Sequence, residues 1–320
     1  MKSPFISLVI PVMNEESSLR HLYNTLKKIL QKYKYEIIFV NDGSDDDSAL
    51  IIEKLHRKDI QVKMISLSRN FGHQMAITCG LDYASGDVAI IMDADLQDPP
   101  ALITRMMGKW REGYDVVYGI RRLRRGENGF KLITARLFYL IINKLSRTKI
   151  PQSVGDFRLI SKNVITILKH TREYQRYLRG IISWVGFKQI GIEYSRDKRF
   201  AGKSKYNSWA MVTLGMDALL SFSFFPLRIA SLVGSLSAIG AFIYILYALF
   251  ITALGLTVKG WSSTVVLILF LGSVQLISLG IIGEYLGRIY EEIKHRPMYI
   301  INSMVGFPKQ PDNIQNRSRQ

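Results

Sequence analysis

Short, strongly apolar runs recur through the first part of the chain, each closed by a cluster of polar and acidic residues. The runs 7–12, 36–40, 62–67, 88–92 and 115–119 have the length and β-branched content of buried strands. Between the first two, Leu19, Leu22, Leu26, Ile29 and Leu30 recur at helical spacing, which predicts a helix from Asn14-Glu15-Glu16-Ser17 to about Tyr33. A second helix is expected to end at Ala84. A third should run from Pro99 to Glu112, because proline is tolerated in a first helical turn. Strand and helix in alternation mean an α/β domain with a largely parallel sheet.

The pattern then changes. No charged residue occurs from Ile229 to Val258, nor from Gly260 to Gly283, and either stretch exceeds the roughly 20 apolar residues that cross a bilayer as helix. Two transmembrane helices joined by a short turn are expected, with Gly283 and Gly287 in a spacing that permits close helix contact. Upstream, 209–225 mixes Trp209, Met211, Leu214 and Leu219 with few charges and reads as an interfacial helix ended by Pro226. Arg172 to Arg179 reads as a basic helix on the same membrane-facing surface. The expected organisation is a catalytic domain over 1–204, an interfacial helix over 205–226, a membrane hairpin over 227–290 and a tail over 291–320, without order after Phe307.

Composition sharpens this. The 320 residues carry a net charge of +17, with 48% hydrophobic content, and the mean hydropathy of +0.09 is explained by the two spans. Arg228 flanks the first span and Arg288, Lys294 and Arg296 flank the second, whereas the connecting loop offers only Lys259. By the positive-inside rule both ends, and the catalytic domain with them, lie in the cytoplasm. The amino terminus reads straight into a strand with no cleavage site, so no signal peptide is expected. Excess positive charge suits a domain lying on anionic headgroups. Nucleic acid is the rival partner for such a charge and is excluded, since no nucleic-acid module is recognisable. The single Cys79 precludes an internal disulfide and fits a reducing compartment.

The chemistry concentrates at the strand ends. Asn14 and Glu15, Asp42, then Asp93 and Asp95 each follow a predicted strand, and the carboxyl ends of such strands line one ligand crevice. Asp93 and Asp95 are spaced to converge on one hard cation that takes its other ligands from substrate phosphates and water, so a diphosphate substrate is implied; the bland alternative is a helix cap. Asp42 can accept hydrogen bonds from a base or ribose, or can simply serve the turn Asn41-Asp42-Gly43-Ser44. Between Arg196 and Tyr206 the tract holds five cations beside Gly202. Its Gly-Lys-Ser is no P-loop, because Asp197 stands where that motif needs glycine. A flexible cationic clamp for a phosphate is the better reading.

Val9-Ile-Pro-Val-Met-Asn-Glu-Glu16, Val40-Asn-Asp-Gly-Ser44, Asp93-Ala-Asp-Leu-Gln-Asp-Pro-Pro100 and Gly155-Asp-Phe-Arg-Leu159 together resemble family 2 glycosyltransferases of the Rossmann-like GT-A fold. Within that family the chain is most similar to polyprenyl-phosphate glycosyltransferases of the bactoprenol glucosyl transferase and dolichol-phosphate mannosyltransferase type, from Ser7 to about Ile301 and including Ile282-Gly-Glu-Tyr-Leu-Gly-Arg-Ile-Tyr290. The resemblance implies an inverting, metal-dependent transfer of one sugar to undecaprenyl phosphate at a bacterial inner membrane. Mg2+ or Mn2+ would be the cofactor and a homo-oligomer, a tetramer, the assembly. UDP-glucose is the first implied donor; GDP-mannose, UDP-N-acetylglucosamine and aminoarabinose donors serve relatives. A non-catalytic lipid-binding scaffold is the rival from another class. A processive polysaccharide synthase is disfavoured, since Gln175-Arg-Tyr-Leu-Arg179 does not match Gln-x-x-Arg-Trp.

Carried onto this chain, the resemblance places Pro11, Glu15 and Asp42 at the nucleoside, and Asp93, Ala94, Asp95 and Gln97 at the diphosphate and its metal. It sets Asp156 near the sugar, as an orienting group or a base, with pairing to Arg158 as the structural alternative. Arg121 (or its neighbour Arg122), Arg199, Ser204 and Lys205 fall at phosphates. Met13 stands where relatives often have an aromatic residue. An acceptor phosphate has a second pKa near 6 and is mostly dianionic at neutral pH, so no strong base is required.

Overall fold

The computed structural model describes residues 4–121, 154–174, 176–195, 225–255 and 260–308. The basic tract with Arg199, Ser204 and Lys205, the expected interfacial helix, Lys259 and the chain end beyond 308 lie outside the described residues.

Five predicted strands appear as β1 (Phe5–Val12), β2 (Lys34–Asn41), β3 (Val62–Leu67), β4 (Val88–Ile91) and β5 (Val116–Arg121). Three more complete the sheet: β6 (Val154–Ser161), β7 (Gln189–Tyr194) and β8 (Ile301–Val305). The order is β7-β5-β6-β4-β1-β2-β3-β8. The central strands β4, β1, β2 and β3 pair in parallel, and β7 is parallel to β5. The sheet is more mixed than the alternation predicts, because β6 runs antiparallel between β4 and β5 and β8 runs antiparallel along β3.

Both faces are covered. Helices α1 (Glu16–Leu30), α2 (Ser48–Lys58) and α4 (Leu102–Arg111) bury Leu19, Leu22, Leu26, Ile52, Ile103 and Met106 against one face. Helices α3 (His73–Tyr83), α5 (Lys162–His170) and α6 (Leu178–Trp184) bury Ala76, Ile77, Val164, Leu168 and Ile181 against the other. Full burial of each such aliphatic side chain contributes about 1.5–3 kcal/mol, which is why the apolar runs of the sequence locate these layers. The expected basic helix from Arg172 to Arg179 is largely loop, with helix starting only at Leu178, and its arginines are paired: exposed Arg172 with Asp82, Arg176 with the carbonyls of Leu168 and Thr171, and Arg179 with Asp156 in the acidic crevice. Arginine in a helical-looking run is a weak predictor when each guanidinium has a buried acceptor to satisfy.

Two long helices follow, α7 (Phe225–Ala253) and α8 (Trp261–Ile293). Each contains a stretch long and apolar enough to cross a membrane, 229–251 and 266–293, with its side chains facing outward rather than into a core. Phe242, Ile243, Phe250, Leu269 and Leu276 are all exposed. Helix α8 stops where His295 takes a left-handed conformation (φ 47°) before Pro297.

The segment after α8, expected to be a tail, belongs to the catalytic sheet. β8 caps the β3 edge, the Ser68 N–H donates to the Ile300 carbonyl (2.9 Å), and Tyr299 donates to Asp82 (2.7 Å). Phe307 packs edge-on against Tyr83. The hairpin is therefore inserted within the fold rather than appended to it, and β8 covers a β3 edge that would otherwise be open to pairing with other chains.

Candidate active site

Strands β1, β2 and β4 are parallel, so their carboxyl ends share one edge of the sheet; β6 is antiparallel, so its start lies there too. Ile91 pairs with Arg158, which sets Asp93 and Asp156 level, two residues further on. Even-numbered β6 residues and odd-numbered β4 residues face the α3 layer, as Ile160 and Ile91 do, so both carboxylates project towards the start of α3.

That helix supplies His73. Its Nε2 lies 3.4 Å from Asp93 Oδ1 and 3.4 Å from Asp156 Oδ2. The loop before it is fixed by Asp42, whose two carboxylate oxygens accept from the N–H groups of Phe71 (2.7 Å) and Gly72 (3.0 Å). Gly72 (φ 98°) makes the left-handed turn that starts α3. Gly43 (φ 70°) lies against the backbone of Arg69 and Asn70, with no room for a Cβ, so the tips of β2 and β3 are held together.

Asp156 is fully engaged. Arg179 grips it through two bonds of 2.8 Å, from Nε to Oδ1 and from Nη2 to Oδ2. The Arg158 expected from sequence is secondary, 3.9 Å away and donating to the Gly155 carbonyl (2.9 Å). Burial works against the charge on Asp156, but the charge and hydrogen bonds of Arg179, joined by His73, hold its carboxyl well below the usual range. Burial likewise opposes charge on His73, yet the hydrogen bond to Asp156 and the two neighbouring carboxylates raise its pKa.

Asp93 is the opposite case. Burial pushes its carboxyl pKa up, and nearby Asp156, Asp98 and Asp95 add to the rise against the relief given by His73. Its Oδ1 is buried without a hydrogen-bond partner. Asp95 is buried and accepts from the Gln97 N–H (3.1 Å). Between them Leu96 adopts a left-handed backbone (φ 59°), a strained state for a bulky residue. Such strain persists where the surroundings over-determine it, often at functional sites. Ala94 is buried beneath this turn.

The residues present fit a divalent cation. Two carboxylates stand two residues apart in an acidic surround, and one of them keeps a buried oxygen with no hydrogen bond. Among the described residues no group of three or more His, Cys, Asp or Glu forms a complete protein cage. That is the donor set expected where substrate phosphates and water provide the remaining ligands.

Around the rim, Pro11 is buried in the ladder opposite Val40, and Glu15 caps the start of α1, its N–H donating to Ser48 Oγ (3.0 Å) and its carboxylate accepting from Ser18 Oγ (3.1 Å). Burial raises the Asp42 carboxyl pKa, partly offset by the two backbone amides. Arg121 ends β5 and joins a cluster absent from the sequence reading: Tyr194 donates to Asp98, Arg121 Nε donates to the Tyr194 hydroxyl (3.2 Å), and Arg121 Nη2 lies 3.7 Å from Asp98. Its guanidinium lies over Gly155, where any side chain would collide with it. Arg121 is thus within the same acidic crevice, one residue from Asp156 in space. His73, Arg179, Asp98 and Tyr194 are the site residues that sequence reasoning missed.

An acidic crevice at the carboxyl edge of an α/β sheet, carried by a chain with two membrane-length helices, defines a membrane-associated enzyme of the nucleotide-binding α/β type. Family comparison agrees: residues 7–168 match the model of glycosyl transferase family 2, and residues 225–289 match the GtrB C-terminal hairpin. The chain belongs to glycosyl transferase family 2. It is 46% identical to the uncharacterized glycosyltransferase YkcC of Bacillus subtilis (strain 168), over 94% of each chain. It is 44% identical to the bactoprenol glucosyl transferase of Shigella phage SfV, over 93% of this chain and 98% of that one. The glucosyl-3-phosphoglycerate synthase structure from Mycobacterium tuberculosis covers 68% of this chain and 79% of its own at 19% identity and a TM-score of 0.47. At that distance nothing about donor or metal passes from it.

Proposed function

We propose that this glycosyltransferase moves a single glucose from UDP-glucose to undecaprenyl phosphate at the cytoplasmic face of the membrane, with inversion at the anomeric carbon. The observation that supports the reading best is the Asp93 carboxylate, whose buried Oδ1 has no hydrogen-bond partner and whose pKa is raised, two residues from Asp95 at the edge where a nucleoside diphosphate binds in such sheets. Full-length similarity to the bactoprenol glucosyl transferase supports the choice of sugar and acceptor.

In this reading Pro11, Glu15 and Asp42 surround the nucleoside, Asp42 by shaping the loop at 71–72 as well as through its remaining lone pairs. Asp93 and Asp95 hold Mg2+ or Mn2+, with Ala94 and Gln97 shaping the turn. A divalent cation, when bound, neutralises the departing diphosphate. Asp156 stays ionised and orients the sugar or acceptor; a carboxylate held well below its usual pKa is a poor base, and a phosphate acceptor needs none. Arg121, with Arg199, Ser204 and Lys205, offsets the repulsion between two phosphates brought together for in-line attack.

The placement of the hairpin supports a crevice that opens on the bilayer. The Tyr174 N–H donates to Glu292 (2.9 Å) in the last turn of α8, and the Ile300 carbonyl meets the Ser68 N–H just past the carboxyl end of β3. The positive-inside pattern around both spans supports a cytoplasmic domain and termini.

The test is to incubate membranes containing the protein with undecaprenyl phosphate and a panel of labelled nucleotide sugars, including GDP-mannose and UDP-N-acetylglucosamine. Label from UDP-glucose should enter the organic phase in a metal-dependent manner. Label from another donor alone would reassign the sugar, and binding of donor and lipid without transfer by any donor would favour a lipid-binding scaffold.

A further inference from the structure

Asp93 and Asp156 belong to different strands and, in the function proposed above on which this inference rests, serve different partners: one the diphosphate, the other the sugar or acceptor. Two like-charged carboxylates level with each other across neighbouring strands repel, and nothing in the sheet ladder itself sets the distance between their side chains. One group does touch both. His73 Nε2 stands 3.4 Å from an oxygen of each, and with two carboxylates facing it this nitrogen carries the proton.

The position of that imidazole is itself determined from elsewhere. Asp42 ties down the amides of Phe71 and Gly72, Gly72 makes the turn, and His73 is the first residue of α3, with Ala76 and Ile77 of the same helix buried in the core. On the far side Arg179 fixes Asp156 in a two-point grip, and the N–H of its neighbour Leu178 donates to Gln74 Oε1, the residue after His73 (3.3 Å). The helix starts of α3 and α6 are thus locked to each other, and His73 projects from that junction between the two acids.

We infer that His73 is a positioning residue that holds Asp93 and Asp156 at a fixed separation, so that the donor's diphosphate and the sugar's reacting face are registered to one another. It acts through the two carboxylates rather than on substrate. Its loss leaves each half of the crevice able to bind but misaligned, and misalignment costs turnover more than affinity. Removing partners of this outer kind typically costs about 10- to 100-fold.

The experiment compares full-length wild type with His73→Ala, His73→Gln, Asp156→Asn and the double variant His73→Ala/Asp156→Asn in detergent. Transfer from UDP-glucose to undecaprenyl phosphate is measured alongside calorimetric binding of UDP with Mn2+. His73→Ala should lower kcat about 10- to 100-fold with KM for UDP-glucose and affinity for UDP with Mn2+ unchanged. His73→Gln, whose amide offers two N–H donors at similar reach, should recover most of the loss even if the alanine variant folds poorly. The double variant should be no worse than Asp156→Asn alone. Wild-type kcat in His73→Ala, a parallel loss of UDP affinity, no recovery in His73→Gln, or full additivity in the double variant would each overturn the inference. An inactive Asp95→Asn with an unaffected His73→Ala defeats this inference only; an active Asp95→Asn defeats the proposed function beneath it.

Discussion

Asp93 and Asp156 face each other across the crevice and both are carboxylates, yet their environments are opposite. Asp156 has a bidentate arginine and a histidine, and is held firmly ionised. Asp93 has an orphaned oxygen, an acidic surround and a raised pKa. A fold that satisfies one acid and leaves its neighbour unsatisfied retains a local destabilisation, the usual signature of a site kept ready for a ligand. The Asp156 wall is complete in the protein alone; in the function proposed above, the Asp93 wall is completed by a cation.

The sharpest way to break this contrast is to remove Arg179. Arg179→Ala strands a buried Asp156, which should cost about 3–5 kcal/mol, read as a lower midpoint in chemical denaturation; a change within error would mean the grip is not formed. Next is Asp93→Asn, which should lower transfer by about 10²–10³-fold, comparable with removing a transition-state charge stabiliser. The same variant should leave the metal-free protein as stable as wild type or more so, whereas Asp156→Asn should destabilise it. If both variants shift stability in the same direction, the two walls are alike.

The pH dependence of stability separates them by sign. Asp156 has a depressed folded pKa, so its contribution is present above its unfolded value of about 3.9 and is lost as pH falls through the folded one. Asp93 has a raised folded pKa, so its contribution is present below about 3.9 and is lost as pH rises through the folded value. Denaturation curves of each Asn variant against wild type should therefore converge at low pH, where both carboxyls are protonated in either state, and diverge with opposite sign as pH rises, Asp156→Asn becoming the less stable protein and Asp93→Asn the more stable. The smallest effect expected is that of Lys205→Ala, a few-fold rise in apparent KM for undecaprenyl phosphate with KM for UDP-glucose unchanged; an effect on the donor alone would move Lys205 to the other side of the crevice.

Much of this was legible in the sequence because burial is written in apolar runs. Strands β1 to β5, the acidic tips and the two long apolar helices each follow from a local pattern. Asp93 and Asp95 stood out for the same reason, as charges ending a buried run. Strand β6 was hidden because Asp156 and Arg158 interrupt its apolar residues, and their partners, Arg179 and the Gly155 carbonyl, are not evident from the local pattern. β8 was hidden by distance, since an edge strand supplied from beyond the membrane hairpin has no local signal tying it to β3. His73 and Arg179 were hidden because they act only through partners far away in sequence, and their neighbours Gly72 and Leu178 gave no hint of a shared junction.

The most direct test of the metal role proposed for Asp93 and Asp95 is calorimetric titration of UDP into the full-length protein with and without Mn2+, in wild type, Asp93→Asn and Asp95→Asn. The account predicts that Mn2+ tightens UDP binding in wild type, and that either substitution abolishes this gain while leaving the weak metal-free binding in place. A gain from Mn2+ that survives intact in both variants would contradict it.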